Sequence, residues 1–261
     1  MRYSIITVCY NSQKTLERTI KSVLAQSNKD YEYIIVDGAS TDNTLSILSH
    51  YEPLFEGRMN IRSERDNGIY DAMNKGIARA VGDYVWIVNS DDFIQPDALN
   101  IIDQKIMGID KDKYPIISGS LNSFSEKEQK VAYRVSKDAA KGKRCFMLDL
   151  TGFNHPATLI PKYVYNKLGN YDSRFKINAD CDFFHRTFSA GIPYLYIPEV
   201  LTNMSDGGIS GQWNLKRLKI TLADGKLYFN KNYTHLFKRY CKHILWTMLM
   251  IRLYFKKKFY T

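Results

Sequence analysis

Four apolar, strand-like runs alternate with helix-like stretches in the first third of the chain, and this alternation limits the fold more than any other feature. The runs are rich in β-branched and aromatic residues and span residues 3–9, 31–37, 59–64 and 84–88. Between them, apolar residues recur at helical spacing. Strands joined by helical crossovers run parallel, with the helices covering the faces of the sheet. The sequence therefore predicts an α/β fold with a mostly parallel central sheet.

The second half of the chain is less regular. Strand-like runs are found at 114–120 and 194–198, and a helix is predicted from Asp180 onward. The polar, basic stretch 121–150 predicts a hairpin or a mobile loop, and the "GGIS" turn at 207–210 predicts a flap over a product or an ordinary loop. The sequence does not determine the shape of these loops, on which the choice of ligand depends.

The net charge of +10 is concentrated at one end of the chain. Residues 212–261 hold 12 of the 37 Lys and Arg residues and only one of the 27 acidic residues, Asp224, so that the rest of the chain is close to neutral. A neutral body with a basic end argues against a nucleic acid partner and indicates a tethering surface. We expect a body of residues 1–210 and a basic, amphipathic helical extension at 211–261.

The extension contains an apolar run, "ILWTMLMIRLYF" at 244–255, followed by three lysines at 256–258. The run is shorter than the ~20 apolar residues that a membrane-spanning helix needs. Its composition is typical of a helix lying in the headgroup plane, where each basic residue near an anionic leaflet contributes ~1 kcal/mol. The alternative is a helix that packs on the body or on a second subunit.

Cysteine usage indicates a reducing compartment. The four cysteines are scattered without a CxxC pair, which argues against a zinc site or a disulfide framework. The chain enters a strand-like run at once, in a segment too short and too poorly flanked for a signal peptide. We expect a cytoplasmic protein that is peripheral on the inner face of the cell membrane.

Polar side chains follow the predicted strands at the edge where open parallel sheets bind ligands. In "YVWIVNSDDF" the buried run ends in Asn89, Ser90, Asp91 and Asp92. The first three strands are followed by Asn11, Asp37 and Asp66. Carboxylates packed into one crevice repel one another unless a cation or a donor-rich ligand lies among them, and Mg2+ or Mn2+ typically bridges such oxygens to a diphosphate. Neither GxxxxGK[ST] nor a GxGxxG after the first strand is present, so a metal ion would have to neutralise a diphosphate here.

At these residues the sequence resembles family-2 glycosyltransferases. The order and spacing of four segments carry the resemblance: "ITVCYNSQKTLERTIKSVLAQS", "YIIVDGASTDNT", "ERDNGIYDAMNKGIARAVGDYVWIVNSDD" and "GNYDSRFKINADCDFFHR". The third segment looks like that of a subgroup of this family found in bacterial surface-polysaccharide synthesis. Over residues 3–210 the resemblance implies the GT-A fold, with three α/β/α layers. It also implies that about 1–110 bind the nucleotide-sugar and about 111–210 form the acceptor side.

The resemblance also implies roles for single residues on the nucleotide side. Thr7 and Asn11 would border the nucleotide, Asp37 would contact the base, and Asp66 lies in the stretch that closes over the nucleotide. The donor would be a nucleotide-diphospho-sugar, with a UDP-sugar as the first expectation.

Asn89-Ser90-Asp91 stands where the family has Asp-x-Asp. Asp91, at the third position, would bind the divalent cation, Mn2+ or Mg2+. Asn89, at the first position, can hydrogen-bond a ribose hydroxyl, but it lowers the negative charge of the site. We expect Asp92 to compensate for that loss.

Asp180 matches the catalytic base of the family, with Ala179 where the family often has Glu. An alcohol is scarcely ionised at neutral pH, so a base that takes its proton during attack accelerates transfer by ~100- to 10,000-fold. The metal would stabilise the leaving diphosphate as a Lewis acid. Asn74, His155 and Asp182 are further candidates, with His155 on the acceptor side.

Structural interpretations compete with these assignments on both sides of the site. Asp91 and Asp92 could cap the next helix, although Asp97 lies closer to its start. Asp37 could be a turn residue. The remaining alternatives are Asp180 as a helix N-cap, Asp182 as an exposed first-turn acid, Asn74 as a packing or capping residue and His155 as a structural histidine.

The sequence thus predicts a metal-dependent, inverting hexosyltransferase. Its acceptor would be a hydroxyl of a lipid-linked saccharide in polysaccharide, O-antigen or capsule synthesis. One alternative is a sugar-phosphate nucleotidyltransferase, which would carry a glycine-rich, basic phosphate loop where this chain has "TVCYNSQKT". The other is a relative that binds a nucleotide or a membrane but has lost catalysis, in which case Asn89 would be a sign of that loss.

Overall fold

A mixed β-sheet with helices on both faces organises the chain. The computed structural model describes residues 2–135, 153–207 and 214–259. The strands in these ranges are β1 (Tyr3–Cys9), β2 (Tyr31–Asp37), β3 (Met59–Ser63), β4 (Tyr84–Ile87), β5 (Phe93–Ile94), β6 (Ile116–Ser125), β7 (Lys130–Val135), β8 (Thr158–Pro161) and β9 (Tyr194–Ser205). The helices are α1 (Leu16–Leu24), α2 (Thr44–Tyr51), α3 (Ile69–Arg79), α4 (Ala98–Ile106), α5 (Lys162–Leu168), α6 (Ala179–Ser189), α7 (Leu215–Asn232) and α8 (Leu236–Phe259).

The first four strands form the parallel half of the sheet, in the order β3-β2-β1-β4. The strand register pairs Cys9 with Asp37 and Asp37 with Ser63. The polar segments after β1, β2 and β3 therefore begin at one edge, as the sequence predicts. Every residue of β1 is buried, because this strand lies between two neighbours and is covered on both faces.

The second half of the sheet continues in the order β4-β8-β6-β9-β5 and contains antiparallel pairs. β8 runs antiparallel to both β4 and β6, whereas β6 and β9 are parallel. β6 and β7 form a hairpin, which confirms the hairpin prediction for residues 121–135. The rest of the stretch predicted to be a hairpin or loop, 136–150, lies outside the described residues, as do residues 208–210 of the predicted flap.

Two apolar cores hold the helices against the sheet. Successive side chains of a strand point to opposite faces, so Ile5 packs in one core and Ile6 in the other. The Ile5 core contains α1, α2 and α4, and the Ile6 core contains α3, α5, α6 and α7. Trp86 on β4 is fully buried, and its indole N–H donates to Pro156 O at 2.9 Å. The three-layer α/β/α architecture is therefore confirmed.

The basic C-terminal segment is not a separate unit in this structure. α7 buries Tyr228 and Phe229 in the same core as α6. On α8, Trp246 is 6% exposed and lies against Gly225, where an added Cβ would come within 2.0 Å of the indole ring. α7 thus packs on the body, and Trp246 of the apolar run 244–255 packs on α7. Within the described ranges, no helix combines the length and the apolar composition needed to cross a bilayer.

Candidate functional site

The loops after β1 and β2 are tied together at the edge of the sheet. Asn11 has a left-handed backbone (φ 49°), which places its amide within reach of the loop after β2. Its side-chain oxygen accepts from Thr41 N at 2.9 Å, and its backbone N–H donates to Ser40 Oγ at 2.8 Å. Thr7, in contrast, is fully buried, and its hydroxyl accepts from Tyr33 OH at 3.0 Å. The Thr7 side chain therefore lies in the core rather than at the edge predicted to border the nucleotide.

Asp37 also lies inside the structure. Its carboxylate accepts from Ser40 N at 3.0 Å and from Ser63 Oγ at 2.6 Å, and the residue is fully buried. The carboxylate organises the turn after β2, in agreement with the alternative interpretation of Asp37 as a turn residue. A direct contact between this carboxylate and a base stays a prediction.

Tyr10, Gly38 and Asp66 converge beside that turn. A Cβ added to Gly38 would lie 2.6 Å from Asp66 Oδ2 and 3.3 Å from the Tyr10 ring, so a larger residue here would displace the Asp66 carboxylate. Tyr10 is 62% exposed, and Asp66 is half-buried with Oδ1 accepting from Gly68 N at 2.9 Å. An exposed ring beside an acceptor suits a planar ligand with hydrogen-bond donors. Sequence reasoning missed Tyr10, although an aromatic residue directly after the first strand was a usable signal.

The turn after β4 separates its two carboxylates. Asp92 is 1% exposed, and its carboxylate accepts from Ser205 N and from Asn89 Nδ2, both at 3.0 Å. Burial raises the pKa of Asp92, and the neighbouring Asp91 charge adds to the shift. The expectation that Asp92 compensates for the charge missing at Asn89 is therefore wrong, because Asp92 points inward and is held by neutral donors. Neither acid caps α4, whose N-cap position is Asp97.

Asp91 is half-buried, and its carboxylate differs from that of Asp92 in having no donor from another residue among those that the structure describes. In the described part of the chain, no side chain donates to its carboxylate. Burial raises the pKa of Asp91, and the nearby Glu126 carboxylate acts in the same direction. Such a carboxylate gains most from a cation brought by a ligand.

A divalent cation shared with a substrate fits these residues. The side-chain oxygen of Asn89 is buried and has no hydrogen-bond partner, which makes it a second available oxygen beside Asp91. The described residues contain no group of three or more His, Cys, Asp or Glu side chains that could hold a metal alone. Mg2+ is commonly bound by one or two carboxylates together with substrate phosphates, so a small protein donor set is compatible with such an ion.

Arg18 supports the turn from behind. Its Nη2 donates to Asp91 O and to Ser205 Oγ, both at 2.9 Å, and the guanidinium pairs with Glu126. The guanidinium also contacts two aromatic rings that pack against each other, 4.6 Å from the centre of Phe93 and 4.9 Å from that of Phe124. An arginine in an amphipathic helix gave no signal of this function, because its hydrogen-bond partners lie 73, 108 and 187 residues further along the chain.

Asp180 lies in the first turn of α6, and Asn178 occupies the N-cap position, so Asp180 is not the cap. Tyr70 on α3 donates its hydroxyl to Ile177 O, and the same hydroxyl lies 3.2 Å from Asp180 Oδ1. The Tyr70 ring packs against Tyr171 with centroids 5.6 Å apart, and Tyr171 OH lies 3.1 Å from His155 Nε2. The sequence-predicted Asp180 and His155 are thus neighbours in one aromatic-lined cluster. Burial lowers the pKa of His155, and the charge of Asp180 opposes this shift.

Two of the further candidates serve the scaffold. Asp182 is fully buried, and its carboxylate accepts from Lys231 Nζ at 2.9 Å and from Arg186 Nε at 3.0 Å. The description of Asp182 as an exposed first-turn acid is therefore wrong, since it ties α6 to α7. Asn74 clamps the backbone of Tyr171, donating to its carbonyl at 2.8 Å and accepting from its N–H at 3.0 Å.

Comparisons with known proteins find sequence similarity over more than half of the chain. A sequence profile described as Glycosyl transferase family 2 matches residues 4–169. An uncharacterized glycosyltransferase of Mycobacterium tuberculosis (strain CDC 1551 / Oshkosh), MT1564, is 35% identical over 185 residues, which are 70% of this chain and 67% of that protein. TuaG of Bacillus subtilis (strain 168), named for teichuronic acid biosynthesis, is 43% identical over 96 residues, 37% of this chain and 38% of that protein.

Solved structures show the same fold. TarS 1–349 of S. aureus, in complex with UDP-GlcNAc, has a TM-score of 0.65 at 16% identity, covering 91% of this chain and 69% of that one. The mannosyltransferase PcManGT from Pyrobaculum calidifontis, in complex with GDP-Man and Mn2+, has a TM-score of 0.65 at 15% identity, covering 97% and 73%. These similarities confirm the predicted GT-A-type architecture.

Proposed function

The chain belongs to glycosyltransferase family 2, and from that premise we propose that it transfers a hexose, with inversion, from a nucleotide-diphospho-sugar to a hydroxyl of a saccharide acceptor. The observation that carries the proposal is the lack of hydrogen-bond partners from other described residues around the Asp91 carboxylate. Among the described residues, no other residue donates a hydrogen bond to this carboxylate, and the same turn after β4 holds an unpartnered Asn89 oxygen. A cation-bound diphosphate would satisfy both oxygens.

The donor side would use the loops at the parallel edge. Asp91, with Asn89 Oδ1, would hold Mn2+ or Mg2+ together with the diphosphate. When bound, the ion supplies Lewis-acid stabilisation of the leaving phosphate. The exposed Tyr10 ring and the Asp66 carboxylate would contact the nucleoside, which we propose to be that of a UDP-sugar. The UDP-GlcNAc complex of TarS supports this choice of nucleotide, whereas the GDP-Man complex of PcManGT keeps guanosine as the competing donor base.

The acceptor side would use Asp180 as general base. Inversion requires the acceptor oxygen to attack the anomeric carbon on the face opposite the leaving group, and Asp180 would take the proton during attack. The Tyr70 hydroxyl, 3.2 Å from Asp180 Oδ1, orients that carboxylate. A positioned base of this kind is worth ~100- to 10,000-fold in rate. Tyr171 and His155 would form the wall against which the acceptor sugar lies.

We further propose that the acceptor is lipid-linked and that α8 holds the protein on the inner membrane surface. Large apolar side chains recur every three or four residues on the exposed face of α8, namely Leu236, Tyr240, Ile244, Met248 and Ile251. Basic residues Arg239 and Arg252 lie on the same helix, and three lysines follow in the sequence. A helix of this composition binds an anionic bilayer through apolar burial and charge attraction.

Release of nucleoside diphosphate tests the transferase. Purified protein would be offered UDP-, GDP- and dTDP-sugars with Mn2+ or Mg2+ and a membrane lipid extract, beside the Asp91→Asn and Asp180→Asn variants. We expect metal-dependent release from one donor, lost in both variants. Binding without release under every condition would favour a non-catalytic relative. Release of pyrophosphate from a sugar phosphate and a nucleoside triphosphate would favour a nucleotidyltransferase.

Flotation with phosphatidylglycerol-containing and pure phosphatidylcholine vesicles tests the membrane contact. Ile244→Glu and Met248→Glu should reduce flotation with the anionic vesicles, because each variant places a charge in the apolar stripe. Met107→Glu changes an even more exposed apolar residue away from α8 and should float like the wild type. Equal flotation of all four proteins would contradict membrane binding through α8.

A further inference from the structure

Asp224 is the single acidic residue in the basic segment 212–261, and the proposed function does not use it. It lies on α7 and is 4% exposed. A buried carboxylate is costly unless hydrogen bonds or cations compensate for the lost hydration. Its partners therefore indicate why a carboxylate is placed in this core.

The partners are successive backbone N–H groups of one short segment. Asp224 Oδ2 accepts from Lys176 N at 3.1 Å, from Ile177 N at 2.7 Å and from Asn178 N at 3.1 Å, and Oδ1 also lies 3.1 Å from Lys176 N. Successive N–H groups that converge in this way form an anion-binding concavity. Hydrogen bonds to a carboxylate are about twice as strong as those between neutral groups.

This segment leads directly into the helix that carries Asp180. α6 begins at Ala179, and its N-cap residue, Asn178, makes no side-chain capping bond. Asp224 thus holds, from another helix, the backbone of the three residues that precede α6, including the N–H of its N-cap residue. On the opposite side of the segment, Tyr70 contacts both Ile177 O and Asp180 Oδ1. The stretch from 176 to 180 is therefore held between α3 and α7.

We propose that Asp224 is a positioning residue for Asp180: by binding the N–H groups of residues 176–178, it fixes the backbone from which the Asp180 carboxylate reaches the acceptor hydroxyl. The inference rests on the proposed role of Asp180 as base. A displacement of about 1 Å at a reacting group costs on the order of 100-fold in rate. Loss of the Asp224 carboxylate should therefore lower kcat without affecting donor binding, which uses the loops after β1, β2 and β4.

The attachment of α7 to the body does not depend on Asp224 alone. Lys231 and Asn232 both donate to Asp182, and Tyr228 OH lies 2.8 Å from His185 Nδ1. With these contacts intact, α7 stays docked when the Asp224 carboxylate is replaced. The effect of the replacement should then fall on residues 176–180, and this separates positioning from general support of the fold.

Four proteins test the proposal: wild type, Asp224→Asn, Asp224→Glu and the control Lys231→Met, which removes the ion pairs of α7 with Asp172 and Asp182. For each we would measure kcat, KM for the donor, nucleotide affinity with Mn2+ by calorimetry, thermal unfolding, and amide hydrogen exchange of residues 176–182. Asp224→Asn should lower kcat ~100-fold and speed exchange at 176–178, with donor KM and nucleotide affinity within about twofold of wild type. Asp224→Glu keeps the charge and should recover part of kcat.

The control separates a positioning role from plain destabilisation. Lys231→Met should lower the unfolding temperature at least as much as Asp224→Asn while keeping kcat near the wild-type value. Equal kcat in Asp224→Asn and Lys231→Met, or a parallel loss of nucleotide affinity and kcat, would overturn the proposal. A wild-type protein that binds nucleotide but releases no nucleoside diphosphate from any donor would overturn the proposed function itself, and with it the positioning of a base.

Discussion

Two pairs of acidic residues, one on each side of the site, show how differently one sequence pattern is used. Asp91 and Asp92 follow β4, and Asp180 and Asp182 open α6. In each pair, the first carboxylate is partly accessible and the second is buried. The pattern that suggested two functional acids therefore contains, each time, one candidate for chemistry and one residue of the scaffold.

The two buried acids differ in what compensates for their burial. Asp92 is held by neutral donors, Ser205 N and Asn89 Nδ2, and the pKa of Asp92 is raised. Asp182 is held by two cations, Lys231 and Arg186, in addition to the Asn232 amide. A buried charge needs a partner of opposite sign or shifts toward its neutral form. The comparison teaches that Asp182 joins two helices by charge, whereas Asp92 shapes a turn next to the proposed cation.

The largest expected effect is on kcat, which should depend on Asp180 far more than on Asp182. Asp180→Asn removes the base and should lower kcat by ~100- to 10,000-fold while leaving thermal unfolding and nucleotide binding unchanged. Steady-state release of nucleoside diphosphate with a saturating donor gives kcat. If Asp180→Asn kept more than a tenth of the wild-type kcat, Asp180 would not be the base.

Asp182 should show the opposite behaviour. Asp182→Ala leaves Lys231 and Arg186 beside an uncharged cavity, and loss of one partner of a buried ion pair costs ~3–5 kcal/mol of unfolding free energy. Urea titration at neutral pH measures this loss. Asp110→Asn, at an exposed surface pair, is the control and should unfold like the wild type. A stable Asp182→Ala protein would show that the ion pair does not hold α6 and α7 together.

Metal binding should distinguish Asp91 from Asp92. A ligand at 100 times its Kd stabilises a folded protein by about 2.7 kcal/mol, so Mn2+ with UDP should raise the unfolding temperature of the wild type. Asp91→Asn should abolish the part of this increase that depends on Mn2+. Asp92→Asn should keep most of it, because the Asp92 side chain points inward. Equal losses in both variants would mean that Asp92 also reaches the ion.

The smallest effect concerns the buried histidine beside Asp180. Burial lowers the pKa of His155, so below about pH 6.5 the unfolded chain takes up a proton more readily than the folded chain. Stability should therefore fall as the pH drops from 6.5 toward 5. His155→Gln should make this fall shallower in urea titrations at pH 7, 6 and 5. An unchanged slope would assign the pH dependence to other groups.

The parallel half of the fold could be predicted from sequence because its signals are local. Each of the first four strands is a short apolar run bounded by polar turns, and the observed bounds of β1 and β2 equal the predicted ones. The placement of Asn11 and Asp91 at one edge follows from parallel strand direction alone. The start of α6 was predicted to within one residue by the same kind of local pattern.

The fate of single carboxylates could not be predicted in this way, because it depends on partners far away in the chain. Ser205, which holds Asp92, is 113 residues further along, and Lys231, which holds Asp182, is 49 residues further along. Burial of Asp37 by Ser63 and of Thr7 by Tyr33 likewise arises from the pairing of separate strands. A sequence pattern indicates which residues could act, whereas tertiary packing determines which of them face a ligand.

The close contact between Gly225 and Trp246 limits how parts of this protein can be exchanged with those of its relatives. A chimera joined at residue 211 would receive a foreign α7 and α8, and the new helices would have to provide three matched features at once. They would need a glycine facing an indole, as at Gly225, and an acid next to that glycine to bind residues 176–178, as at Asp224. They would also need a lysine about two helical turns after the acid to reach Asp182, as at Lys231. A junction placed after Trp246 keeps all three and exchanges only the end of α8. The natural unit of recombination in this protein therefore ends inside its last helix, rather than at the change in charge that marks the sequence.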